Sequence, residues 1–77
     1  MDTLSQQVTE TLRTWILHGR LTPGTRVEEV PIAETLKVSH TPVRAALAAV
    51  GMEGLIDHQP KKGYLVRAFA LEDILAA

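Results

Sequence analysis

Leu36-Lys37-Val38-Ser39-His40-Thr41-Pro42-Val43-Arg44-Ala45-Ala46-Leu47 is the stretch whose reading decides the fold. One helix closes near Leu36, Lys37-Val38-Ser39 is a short connector, and a second helix runs from about His40 to residue 53. Ser39 suits a helix start, because its hydroxyl can accept a backbone N–H of the first turn. Pro42 falls in that turn, where its missing N–H is no loss. At helical spacing Val43, Ala46, Leu47 and Val50 gather on one side, while Thr41, Arg44, Ala45 and Ala48 face away. Two short helices about a tight turn make a helix-turn-helix with His40, Thr41 and Arg44 at the exposed tip.

The flanking sequence completes the pattern. Upstream, Leu4, Val8, Leu12, Trp15 and Ile16 recur at three- and four-residue spacing and predict a first helix over residues 4–18. Thr3 or Ser5 would cap its start, and Gly19 would stop it. Thr22-Pro23-Gly24-Thr25 reads as a turn and Arg26-Val27-Glu28 as a short strand. The first helix of the pair covers about 30–36, with Pro31 in its first turn and Glu28 and Glu29 at its positive end. Ile32, Ala33 and Leu36 form its inner face.

Downstream, Gly54 ends the third helix. Leu55–Gln59 and Tyr64–Arg67 read as strands, and Pro60-Lys61-Lys62-Gly63 joins them as a hairpin. The expected fold is therefore α+β: a winged helix-turn-helix with a three-helix core and a small antiparallel β-wing. Residues 1–70 make that domain. Residues 71–77 read as the start of a linker helix.

A chain of 77 residues supports one small domain, and its 45% apolar content makes it globular. It has no cysteine, so no disulfide framework or thiolate metal site is open to it. His18, His40 and His58 match no metal-ligand spacing, so no cofactor is expected. No apolar run nears the roughly 20 residues that span a bilayer. Met1-Asp2-Thr3 lacks the basic start of a signal peptide, so no membrane partner is expected and the cytoplasm is the expected compartment. No nucleophile–base spacing or Gly-rich phosphate loop occurs, so an enzyme is not expected.

The net charge of −1 argues against strong non-specific binding to nucleic acid. The average hides an asymmetry. Residues 1–36 carry −2, residues 37–67 carry +3 and residues 68–77 carry −2. The positive charge sits on the exposed helix tip and the hairpin. A helix fits the major groove of duplex DNA, and its N-terminal residues meet the base edges. Lys61 and Lys62 would reach adjacent phosphates, and Gly63 would let the backbone approach closely. Each residue also has a plain reading. Arg44 and His40 could be solvated, Ser39 and Thr41 could only start the helix, and Lys61-Lys62 could be a solvated tip. Trp15 reads as core. A second function fits the alanine-bearing outer face (Ala45, Ala48, Ala49): a winged-helix module that binds protein rather than DNA.

The chain resembles the N-terminal domain of the GntR family of bacterial transcription regulators, in its FadR-like branch. The resemblance covers about residues 4–67. It is carried by Leu12-Arg13, Ile16-Leu17-His18-Gly19-Arg20-Leu21, Pro23-Gly24 and Ala33-Glu34, then by the opening stretch, Glu53-Gly54-Leu55-Ile56 and Gly63-Tyr64-Leu65-Val66. It implies a sequence-specific DNA-binding domain of a regulator, a repressor by expectation. It implies contacts at Ser39, Thr41, Arg44 and the wing glycine Gly63; together with His40 and Pro42 at the helix tip and Lys61 and Lys62 at the hairpin tip, these make the expected DNA-binding set. It also implies a homodimer in a full-length form, and an effector metabolite bound only through a C-terminal domain. The chain departs from the pattern at His40, where Arg is commonest, at Ala45, where Glu is usual, and at Val30, where some members place a DNA-contacting Arg. Ala48-Ala49-Val50-Gly51 replaces a more charged segment.

Overall fold

One hydrogen-bonded turn closes all three helices of the computed structural model, which describes residues 3–67. The elements are α1 (Thr3–Leu17), β1 (Arg26–Val27), α2 (Glu29–Leu36), α3 (His40–Met52), β2 (Ile56–Gln59) and β3 (Gly63–Val66). After α1, the Arg20 N–H donates to the Trp15 carbonyl at 2.8 Å and the Gly19 N–H to Ile16 at 3.2 Å. After α2, Val38 donates to Ala33 and Lys37 to Glu34; after α3, Leu55 donates to Val50 and Gly54 to Gly51. This paired closure needs a left-handed residue at its centre, usually glycine. Gly19 and Gly54 serve at φ +79° and +82°, but the middle turn uses Lys37 at φ +57°.

A side chain in that region costs about 1 kcal/mol relative to glycine. Lys37→Gly is therefore expected to raise the stability of the domain by about that amount, read as a higher midpoint in urea unfolding. An unchanged or lower midpoint would show that the Lys37 side chain makes up the difference elsewhere.

The sheet has order β1-β3-β2, with both neighbours antiparallel to the central β3. Gln59 lies opposite Gly63 and Ile56 opposite Val66, so the β2–β3 hairpin is the predicted wing. β1 extends through the turn before it: Gly24 N–H donates to the Val66 carbonyl and Val66 N–H to the Thr25 carbonyl, both at 2.9 Å. Gly24, at φ +85°, follows Pro23 in a turn closed by the Thr25 N–H on the Thr22 carbonyl.

The core forms where the three helices meet the sheet. Val8, Leu12 and Ile16 of α1 pack with Val43, Ala46, Leu47 and Val50 of α3. Ile32 and Ala33 close it from α2, and Val27, Ile56 and Val66 from the strands. The predicted inner face of α3 is thus buried in full, and its predicted outer residues Thr41, Arg44, Ala45 and Ala48 are exposed. Trp15 is half-buried against the core, with the Arg20 guanidinium 5.4 Å from its ring centre. Outside the core, Arg13 holds Glu53 through two bonds, Nε to Oε1 at 2.7 Å and Nη2 to Oε2 at 2.6 Å, tying α1 to the end of α3. The bond to Arg13 holds the Glu53 carboxyl below its ordinary value. What this pair adds to stability is therefore present above the usual carboxylate range and lost as pH falls through it.

Several expectations need correction. β1 ends at Val27, because Glu28 leaves the sheet to take the position before α2 and pairs with Arg26 at 3.2 Å. Leu55 and Arg67 lie just outside the wing strands, where the Arg67 N–H donates to the Leu55 carbonyl at 3.1 Å. Leu4 is exposed, one turn too early on α1 to reach α3. Ser39 does precede α3 in extended conformation (φ −72°, ψ 169°), but its hydroxyl makes no capping bond. The expected linker helix at 71–77 lies outside the described residues.

Candidate nucleic-acid interface

The first turn and a half of α3 sorts its side chains by helical phase. Ser39, His40, Thr41 and Arg44 are exposed, whereas Pro42 and Val43 are buried. Burial removes the Pro42 ring from the residues that a bound molecule could touch. Its place in the binding set is corrected to helix initiation, where a fixed φ and an absent N–H cost nothing. The remaining four project from one end of a rod whose opposite side is anchored in the core.

Arg44 is not idle. Its Nη2 donates to Glu29 Oε1 at 2.9 Å and its Nε to Glu29 Oε2 at 3.2 Å. His40 Nδ1 stands 3.3 Å from the same Oε1. Glu29 opens α2, where the free N–H groups of a helix favour an acidic side chain. The hydrogen bond from Arg44 is the main cause that lowers the Glu29 carboxyl below its ordinary value, and the same bond raises the Arg44 guanidinium. Glu29 therefore stays ionised at neutral pH. It is also the better anchored partner, its side chain 26% exposed against 71% for Arg44.

The wing tip is a turn in which the Lys62 N–H donates to the Gln59 carbonyl at 3.1 Å. Pro60 supplies a preset φ, and Lys61 takes the left-handed position at φ +71°. Gly63 follows at φ +76°, and a methyl group added there would lie 3.9 Å from Arg26 Nε. Lys61 and Lys62 are exposed and enter no ion pair among the described residues. Behind the tip, His58 and Tyr64 pair across the strands, ring centres 4.9 Å apart. Arg67 Nε lies 3.5 Å from Asp57 Oδ2 and braces the base of the hairpin.

These parts connect. Gly63 abuts Arg26, Arg26 pairs with Glu28, and the next residue, Glu29, holds Arg44 and His40. A line of charged side chains thus runs from Gly63, at the tip end of the wing, through Arg26, Glu28 and Glu29 to the tip of α3. Residues 4–66, which include both helices of the pair and the wing, match the pattern of the bacterial regulatory proteins of the gntR family. The chain belongs to the GntR family. Its relatives include the HTH-type transcriptional repressor RspR of Escherichia coli K12, 31% identical over 92% of this chain and 31% of RspR. The probable D-xylose utilization operon transcriptional repressor of Paenarthrobacter nicotinovorans is 36% identical over 97% of this chain and 33% of its own length. A crystal structure of a putative GntR regulator from Rhodococcus sp. RHA1 superposes with a TM-score of 0.84 at 32% identity, covering 97% of this chain and 36% of that one. The chain spans about a third of the length of the curated relatives it matches.

Arg26 and Glu29 are the residues that sequence reasoning missed. In sequence Arg26 reads only as part of a short strand and Glu29 only as a helix start. Fifteen residues separate Glu29 from Arg44, a spacing with no local periodicity. The pairing follows from the crossing of α2 and α3. Among the described residues no cluster of three or more His, Cys, Asp or Glu could hold a metal ion. No described helix is long and apolar enough to cross a membrane.

Proposed function

We propose that this GntR domain reads operator DNA, with the tip of α3 in the major groove and the wing on the flanking phosphates. Arg44 is the base-reading residue; His40, Thr41 and Ser39 meet backbone or base edges, and Lys61, Lys62 and Gly63 ride on the adjacent strand. The observation that carries this reading is the tip of α3: one face sealed in the core, the other exposing Arg44, His40 and Thr41, with Glu29, Glu28 and Arg26 leading from it to the wing. An α-helix presented this way matches the width of the major groove.

Regulation is by repression. The two relatives named as repressors support that sign, and occupancy of an operator blocks polymerase sterically. The chain acts in the cytoplasm within a longer, dimeric, FadR-like regulator, whose second domain binds the effector. Two copies then meet half-sites about one helical turn apart. Tethering in the dimer supplies effective concentration that a single domain lacks. The domain itself has no catalytic role and takes no cofactor.

Retention on duplex DNA as salt is varied tests this. Each phosphate contact contributes about one unit to the slope of log K against log salt. The double variant Lys61→Gly, Lys62→Ala is expected to lower that slope by about two units. Glycine at 61 also relieves the left-handed backbone, so the variant folds at least as well as the parent. An unchanged slope would remove the wing from the interface. Salt-independent binding, or none, by the parent chain would favour a protein-binding module instead.

A further inference from the structure

Arg44 carries five N–H donors, one on Nε and two on each Nη. Glu29 takes the Nε hydrogen and one hydrogen of Nη2. That is the side edge of the guanidinium. The end edge, one hydrogen from Nη1 and the other from Nη2, has no partner among the described residues. Two parallel N–H groups on that edge are the fork that matches guanine O6 and N7. The carboxylate therefore grips the group without covering the edge that reads a base.

We infer that Glu29 is a positioning residue for guanine recognition: by holding the side edge of Arg44 it fixes the plane of the guanidinium, leaves its end edge to the base, and offsets its charge against phosphate. This rests on the reading of Arg44 as a base reader. The anchoring follows from the fold. Glu29 begins α2, and its side chain is much the less exposed of the pair. A long side chain that is 71% exposed would otherwise sample many rotamers and lose that freedom on binding. His40 shares Oε1, so the same carboxylate orients both exposed groups of the tip. With Glu29 in place the charge of Arg44 is offset, which weakens attraction to phosphates of any sequence. Discrimination gains at the expense of non-specific affinity.

The test uses three duplexes: one selected by the full chain from a random pool, the same duplex with 7-deazaguanine at the recognised guanine, and a random-sequence duplex. The parent is expected to prefer guanine over 7-deazaguanine by about tenfold. Glu29→Gln keeps the shape but not the charge. It is expected to cut that preference to about threefold or less, to tighten random-duplex binding several-fold, and to raise the salt slope by about one unit. Arg44→Ala is expected to abolish the preference, and adding Glu29→Gln to it to leave the preference absent whatever it does to overall affinity. A melting curve for each variant checks that the domain stays folded.

Two results would overturn the role of Glu29 alone. One is a Glu29→Gln variant with the parent's preference. The other is equal tightening on all three duplexes, which would make the carboxylate a competitor of DNA rather than a support. A different result, Arg44→Ala with the parent's preference, would overturn the base-reading assignment itself.

Discussion

Arg44→Ala is expected to weaken binding to the selected duplex by about ten- to a hundredfold while leaving the domain folded. A good bidentate contact from Arg to guanine carries that much discrimination. The fold has little stake in the residue. Its side chain is exposed on the outer face of α3, and its ion pair with Glu29 is at the surface. Exposed pairs of this kind contribute little or nothing measurable to stability. The loss should therefore appear in binding to the selected sequence and much less in binding to random duplex. Arg44→Lys should recover only the charge, because an ammonium lacks the planar fork. Its expected signature is near-parental affinity for random duplex with lost preference for guanine. Titration by fluorescence anisotropy on both duplexes measures this. Parental affinity of Arg44→Ala for the selected duplex would remove Arg44 from the recognition set.

Leu12→Ala is expected to unfold most of the population at room temperature. Leu12 is 1% exposed and sits where α1 packs on α3. Truncating a buried leucine costs about 2–5 kcal/mol, from lost burial and from the cavity left behind. A single core of this size supplies only about 3–5 kcal/mol of net stability. The cost is thus comparable to the whole margin. Leu17→Ala is the control: it lies five residues further along the same helix but is 54% exposed, and its cost is expected within about 0.5 kcal/mol. Circular dichroism during thermal unfolding separates the two. A cooperative transition for Leu12→Ala at the parent's midpoint would mean that α1 does not close the core.

The pairing of α2 with α3 was readable in advance because burial there follows helical phase. Val43, Ala46, Leu47 and Val50 return every three or four residues, and all four are sealed. Pro31 and Pro42 marked two helix starts by a rule of covalent geometry, and Gly19 and Gly54 marked two ends. The third end was readable only from Leu36 onward, since Lys37 stands where glycine was due. The same holds at Lys61. A left-handed lysine looks in sequence like any other lysine, and the hydrogen bonds around it determine its conformation. Pro42 shows the opposite gap. Its place in the chain was legible, but whether its ring faced out or in depended on the packing of α3.

The candidate site divides along the same line. The exposure of His40, Thr41 and Arg44 follows from the phase of α3 and needed only the sequence. Their partner Glu29 comes from another helix, and contact between helices depends on a crossing angle that no local pattern encodes. Arg26 beside Gly63 likewise reflects β1 joining the wing sheet. The resemblance named the surface, and the structure adds the charged line that joins its two halves.

The central claim is that the tip of α3 and the tip of the wing contact one duplex together. Titrating the isotopically labelled chain with its selected duplex, and following the backbone amide signals by NMR, tests that claim most directly. The account predicts the largest shifts at Ser39, His40, Thr41, Arg44 and residues 61–63, with Leu12 and the core-facing Ala46, Leu47 and Val50 little changed. Shifts confined to Trp15, Leu21 and Thr35, which line a separate groove between α1 and α2, or at the α3 tip without the wing, would contradict it.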